Sequence, residues 1–239
     1  MIKLVFDAPL MSFGGPVASD RVGSTFHFPP KSMLTGLLGA ALGYKRSEHE
    51  KLQELQEGFT YGVREDRRGE VIEDFQTADF NSAWMTGYWE DGRYVSGKEA
   101  RGRYGSSSEN RSILDRKYIA DAAYTVVLKL ASLPEEKLIG ALRRPKWPVY
   151  IGRKGCGAGF LRPERIGHHA VREALEDFDN LELQHPHPRP GQTQLRIWIE
   201  GQGSRSIQGL RNWTSRIHAG KQWLKEDTVE GPPPEDLSP

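Results

Sequence analysis

The chain has 239 residues, 37% of them hydrophobic, with a mean hydropathy of −0.62, a net charge of +1 at pH 7 and a single cysteine. Such a length buries one sizeable core or two small subdomains, and one cysteine excludes an internal disulfide framework and a Cys-based zinc site. With no signal-peptide pattern and no run near the roughly 20 apolar residues of a membrane span, the expectation is a cytoplasmic protein with no membrane contact.

In chain order, Ile2 to Ala8 reads as a buried strand. A Gly/Pro loop bearing Arg21, His27 and Lys31 then runs into a helix over Ser32 to Leu42, stopped by Gly43 and capped by Ser32 or by the loop before it. Pro29-Pro30 suits this entry, because the first N–H groups of a helix are unpaired anyway. Those N–H groups, the helix dipole and the added bases make a seat for a phosphate. Glu48 to Glu57 reads as a short acidic helix. Phe59 to Arg64 and Val71 to Phe80 read as strands joined by a turn at Arg67-Arg68-Gly69.

From Trp84 to Arg116 the pattern dissolves into Gly, Ser and Arg interleaved with Trp84, Tyr88, Trp89, Tyr94 and Tyr104. A segment this long and weakly apolar inside a compact domain is functional or disordered, and Glu90-Asp91-Gly92-Arg93 closes a hairpin within it. Ile119 to Leu130 resumes a strand. Pro134 to Leu142 is a helix with Glu135 and Glu136 in its first turn. This order is that of a split β-α-β ferredoxin-like unit with an insertion before its last strand.

Val149 to Gly159 reads as a strand end followed by glycines 152, 155, 157 and 159 around Arg153-Lys154. There the backbone can approach a phosphate closely and two bases supply charge. A His/Pro linker over 185–190 precedes a strand at Gln194 to Gly201, and Glu230 to Pro239 reads as a disordered end. The bases are segregated. Residues 143–172 hold eight Lys/Arg against Glu164 alone, and residues 201–225 hold five bases and no acid. Segregated bases in a nearly neutral chain suit a phosphate-tracking face. The seven histidines lack metal-ligand spacing, and no Walker loop, Gly-x-Ser-x-Gly or His-Glu-x-x-His is present, so no metal or cofactor is expected.

The run Phe28-Pro29-Pro30-Lys31-Ser32-Met33-Leu34-Thr35-Gly36-Leu37-Leu38-Gly39-Ala40-Ala41-Leu42-Gly43, after a strand and a Gly-rich loop with an Arg, resembles the CasD family of CRISPR-associated RAMP-superfamily proteins. These are subunits of type I Cascade complexes, and subtype I-E is the nearest likeness. Asp74-Phe75-Gln76-Thr77, Arg116 to Val126 and Tyr150-Ile151-Gly152-Arg153-Lys154-Gly155-Cys156 are further islands of likeness, and beyond about residue 160 it fades. The resemblance implies an α+β fold: an RRM-like, ferredoxin-like domain over residues 1–145 with a thumb hairpin inserted at about 84–116. A smaller β-rich C-terminal part over 146–228 and a tail over 229–239 complete it.

It also implies a non-catalytic subunit that binds the 5′ handle of CRISPR RNA (crRNA) and caps the backbone filament of Cascade. Such a subunit contacts both the backbone subunit and the large subunit that reads the protospacer-adjacent motif, and meets target DNA only through the complex. Arg21, Lys31, Ser32, Gly152, Arg153 and Lys154 are then the phosphate-holding candidates. Handle bases sit near His27 and Trp84, and the thumb bases, Arg101 and Arg103 among them, contact RNA and the neighbouring subunit. Two alternatives stand beside this reading. One is metal-independent cleavage of precursor crRNA, as in some CasD-like proteins of subtype I-C, with His27, Lys31, Tyr44 and Lys45 as acid–base groups. The other is a free-standing RRM-like RNA-binding module, for which Phe59-Thr60-Tyr61-Gly62-Val63 partly imitates the base-stacking motif.

Overall fold

The computed structural model describes residues 1–15, 22–79, 88–90, 93–95, 111–158, 161–178 and 192–231. In chain order the elements are β1 (Ile2–Met11), β2 (Val22–Gly23), α1 (Lys31–Leu42), α2 (His49–Glu57), β3 (Phe59–Arg67), β4 (Glu70–Asp79), β5 (Tyr88–Glu90) and β6 (Arg93–Val95). There follow β7 (Arg111–Leu130), α3 (Glu135–Arg143), β8 (Glu164–Arg165), α4 (Val171–Glu176), β9 (Gln194–Asn212) and β10 (Ile217–Glu230). Two compact units result. The first comprises Met1–Pro16, Thr25–Ile72 and Tyr118–Pro239, and the second Val17–Ser24 and Glu73–Lys117.

A sheet in the order β10-β9-β3-β7-β1-β8, antiparallel at every step, organises the first unit. Side chains of a strand alternate between faces, and β7 uses both. Tyr124, Val126 and Leu128 enter the larger core with Leu4, Phe6, Tyr61 and Trp198, whereas Val127 joins a smaller core with Leu175, Leu195 and Ile197. On α1 the spacing Leu34, Leu37, Leu38, Ala41 forms the stripe that covers the larger core. The helix ends at Gly43, whose φ of 84° is the left-handed stop read from the sequence.

Buried ions pin the second face. Arg64 on β3 donates from Nε to Asp66 at 2.5 Å and from its terminal nitrogen to the Leu175 carbonyl of α4. Thr125 on β7 donates to the other Asp66 oxygen at 2.6 Å. On the opposite face Glu65 receives a two-pronged Arg196 guanidinium at 2.8 and 2.9 Å, which ties β3 to β9.

Several expectations are corrected here. The residue preceding the first turn of α1 is Pro30, with no side-chain cap, and Ser32 lies buried inside the turn. Residues 149–158 form no strand. A Tyr150–Gly157 bridge closes a turn instead, because Gly152 departs from extended geometry at φ 93°. β9 runs on past Gly201 to Asn212. The register jumps from Trp223–Ser206 to Leu224–Glu200, so residues 201–205 bulge from the ladder and mask its continuity in the sequence. Its partner β10 and the short α4 had no strong hydrophobic period to announce them.

In the second unit, β2 pairs in parallel with residues 115–116 of β7. β5 and β6 form a separate antiparallel pair with Tyr88 opposite Val95 and Glu90 opposite Arg93. The rest of the expected thumb, including Trp84, Arg101 and Arg103, lies outside the described residues, as do Arg21 and residues 232–239; the expected tail over 229–239 starts too early, because Val229 and Glu230 pair with β9 as the end of β10.

Candidate nucleic-acid interface

Three backbone segments of the first unit converge at the C-terminal end of β1. The Ser12 amide donates to the carbonyl of Ile151 at 3.1 Å, seating the Gly-rich loop against the strand. Gly152 is obligatory at that contact: a Cβ there would stand 1.5 Å from the Ser12 carbonyl oxygen, and its φ of 93° is left-handed. The loop then turns tightly, with the Cys156 amide donating to Arg153 O and the Ile151 amide to Cys156 O, both at 2.8 Å. This geometry presents Lys154 and Gly155 to solvent, while the Arg153 guanidinium lies over the Tyr118 ring at 4.9 Å. Cys156 is buried behind the turn. Burial pushes its thiol up against a smaller opposing pull from Arg153.

The segment leading into α1 docks on the same strand end. Phe13 N–H donates to Thr25 Oγ1 at 2.9 Å, and Phe26 N–H donates to the Gly14 carbonyl at 2.5 Å. Two buried phenols hold the segment from beneath: Tyr124 donates to the His27 carbonyl at 2.9 Å and Tyr61 to the Pro29 carbonyl at 3.1 Å. Burial pushes both phenols far above their ordinary range, so they act as neutral donors. Held by its backbone, His27 exposes its side chain. His27, Gly152, Arg153 and Lys154 therefore all belong to segments that meet at the end of β1.

Lys31 and Ser32 do not. Both are buried, and the Lys31 ammonium reaches Glu200 on β9 at 2.8 Å while standing 5.1 Å from the Phe59 ring centroid. The Lys31 amide donates to Gln222 Oε1 at 3.3 Å, and Gln222 in turn donates to the Tyr61 hydroxyl at 2.8 Å. The helix end read from the sequence as a phosphate seat is thus filled by a carboxylate and an amide of the C-terminal hairpin. Desolvation raises the Glu200 carboxyl, with Lys31 pulling the other way.

The acid–base set considered for RNA cleavage is divided by the same helix. Tyr44 and Lys45 follow the C-terminus of α1, about 18 Å along its axis from Lys31, while His27 precedes its N-terminus. The aromatics of the stacking-motif imitation, Phe59 and Tyr61, are 1% and 0% exposed, so neither can stack a base. Among the described residues no His, Cys, Asp and Glu side chains group as a metal ion requires, and no helix is long and apolar enough to cross a membrane. Sequence reading passed over Ser12 and Tyr118, the two residues that shape the loop. The cue for Tyr118 was its place in the 116–126 island, and that for Ser12 its place in the N-terminal stretch of likeness.

The chain belongs to the family described as CRISPR-associated protein (Cas_Cas5), which it matches over residues 1–224. A curated relative, the CRISPR system Cascade subunit CasD of Escherichia coli (strain K12), is 31% identical over 159 residues. That stretch is 62% of this chain and 62% of the relative, so the match spans under two thirds of the relative's length. Among solved structures, a chain of a CRISPR RNA-guided surveillance complex superposes with a TM-score of 0.69 at 21% identity, over 97% of this chain and 90% of that one. A second, described as the crystal structure of a Cas protein, gives 0.62 at 24% identity over 97% and 99%. At these identities the likeness is one of fold.

Proposed function

We propose that this chain is a non-catalytic subunit of a type I Cascade complex, of the I-E kind, which holds the 5′ handle of crRNA. In that role it caps the backbone filament and contacts the large subunit, supporting guided recognition of foreign DNA. The observation that carries the reading is the loop at the end of β1. There Gly152 lets the backbone lie against Ser12, Lys154 stands out into solvent, and the exposed His27 is carried on a segment docked to the same strand end.

Arg153 and Lys154 hold handle phosphates in this scheme, and His27 contacts a base. Arg21, Trp84, Arg101 and Arg103 extend the surface from the loop and the thumb. Lys31 and Ser32 take a different part from the other candidates. Lys31 locks the start of α1 to the C-terminal hairpin, and so fixes the segment that carries His27, while Ser32 is buried beside it. The order β8-β1-β7-β3 supports the ferredoxin-like, RRM-like reading of the first unit, with β9 and β10 added beyond β3. Phosphate contacts carry no sequence information, so selectivity for the handle falls to base contacts and shape.

The test is co-expression with the other Cascade subunits and isolation of the complex. A guide RNA of uniform length should accompany the parent chain. It should be lost, or retained only at low salt, when Arg153 and Lys154 are both changed to Ala. A complex that retains its RNA with the parent's salt dependence refutes the assignment of the loop.

A further inference from the structure

A second cationic cluster is built from other elements, the α1–α2 connection and the turn between β9 and β10. Asn212 pairs with Ile217 to close that turn, and the next residues along the two strands are Arg211 and His218. Within the turn Arg216 adopts a positive φ of 61°, and Arg46 approaches from the connection before α2. The position of Arg211 is fixed by α2: Gln56 accepts from the Arg211 amide at 3.2 Å and donates to its carbonyl at 2.9 Å. Gln56 also accepts from the Trp213 indole at 3.3 Å, and the Arg211 guanidinium stacks 5.1 Å from the Trp213 ring centroid.

The cluster is electrostatically incomplete. The buried Nε of Arg211 has no hydrogen-bond partner, and no carboxylate among the described residues pairs with Arg46, Arg211, Arg216 or His218. Desolvation and the charges of Arg46 and Arg216 all oppose the protonated Arg211, and desolvation and Arg211 likewise hold His218 below the ordinary imidazole value. A rigidly held guanidinium that is partly desolvated among like charges is relieved by an anion, and planar guanidinium groups match phosphate oxygens.

We propose that Arg46, Arg211, Arg216 and His218 form a second phosphate-binding site, which takes the backbone of a single-stranded nucleic acid. Nucleic acid is favoured over an acidic protein segment by the strand that leads away from the site. About 10 Å further along β10 comes Lys221, then the half-exposed Trp223, then Lys225, a stackable ring between two exposed bases. The site is independent of the loop at Gly152.

The test uses the full chain, with the His218 ring followed by NMR and binding of a labelled oligouridylate followed by anisotropy. Saturating inorganic phosphate, and separately the oligonucleotide, should raise the His218 pKa. Arg216→Gln, an exposed turn residue whose loss spares the core, should abolish that rise. Arg46→Gln and Arg216→Gln should each lower the slope of log affinity against log salt by about 0.7 for a lost phosphate contact. A slope unchanged in both variants overturns the proposal. So does a His218 that responds to free phosphate but not to the oligonucleotide, or one that oligoglutamate moves as far as oligouridylate does.

Discussion

Replacing Lys31 by Met separates two roles for one residue. In the structure the Lys31 and Glu200 side chains are 9% and 17% exposed and their charges lie 2.8 Å apart. At an effective dielectric near 20 the attraction is about 6 kcal/mol, most of which the desolvation of two ions consumes. The pair is thus close to neutral as a whole, but deleting one partner leaves the other buried and unpaired, at a cost of about 3–5 kcal/mol. Glu200 has an escape, because burial already raises its carboxyl and loss of Lys31 raises it further. Protonation then caps the loss near the lower figure, about 3 kcal/mol, which for a chain of this size lowers Tm on the order of 10 °C.

The pH dependence follows in sign. A carboxyl whose folded pKa lies above its unfolded value favours the folded state at low pH and loses that contribution as pH rises through the folded pKa. The deficit of Lys31→Met relative to the parent should therefore shrink as pH falls toward the carboxylate range and widen above it. Adding Glu200→Gln should recover most of the loss at neutral pH. Thermal unfolding by circular dichroism across pH measures all three. A variant that keeps the parent Tm while binding RNA with a smaller salt slope would show that the Lys31 charge serves RNA and not Glu200.

Gly152→Ala should cost about 2–5 kcal/mol in urea unfolding, combining left-handed strain with displacement of the Ser12 carbonyl, whereas Gly155→Ala, with open space around it, should be near neutral. Equal effects at the two glycines refute the seating of the loop. Asp66→Ala leaves the Arg64 guanidinium buried without its carboxylate and should lose about 3–5 kcal/mol, read as a shifted denaturant midpoint; a loss under 1 kcal/mol contradicts the buried network. Purified chain incubated with its repeat RNA in EDTA should leave the RNA intact on a denaturing gel. Cleavage that disappears in His27→Ala overturns the non-catalytic reading.

Elements with a strong hydrophobic period were legible from residues alone: β1, the α1 stripe with its Gly43 stop, β7 from Ile119 onward and α3, whereas Arg111 to Arg116, read as part of an irregular segment, are the start of β7. The Gly152 loop was legible only with the other islands of likeness beside it, because glycines next to two bases are common in ordinary turns. What escaped depends on distant partners. A lysine at the start of a helix reads the same whether it faces solvent or a carboxylate, and Glu200 lies 169 residues away. Phe59 and Tyr61 sit at stacking-motif spacing, yet only the packing of α1 over β3 shows them buried. β10 buries Gln222, Leu224 and Val229 but leaves Ile217 and Trp223 exposed among charged side chains, and its pairing with β9 is interrupted by a bulge that no period survives.

The way residues 26–30 are held has one further consequence. Tyr124 and Tyr61 grip the carbonyls of His27 and Pro29, and the Phe26 amide grips Gly14, so the path of this segment is set by main-chain bonds. The imidazole at 27 contributes nothing to that path. It behaves as an interchangeable head on a fixed mount, and a full set of substitutions at this one position would vary the exposed side chain over an unmoving frame.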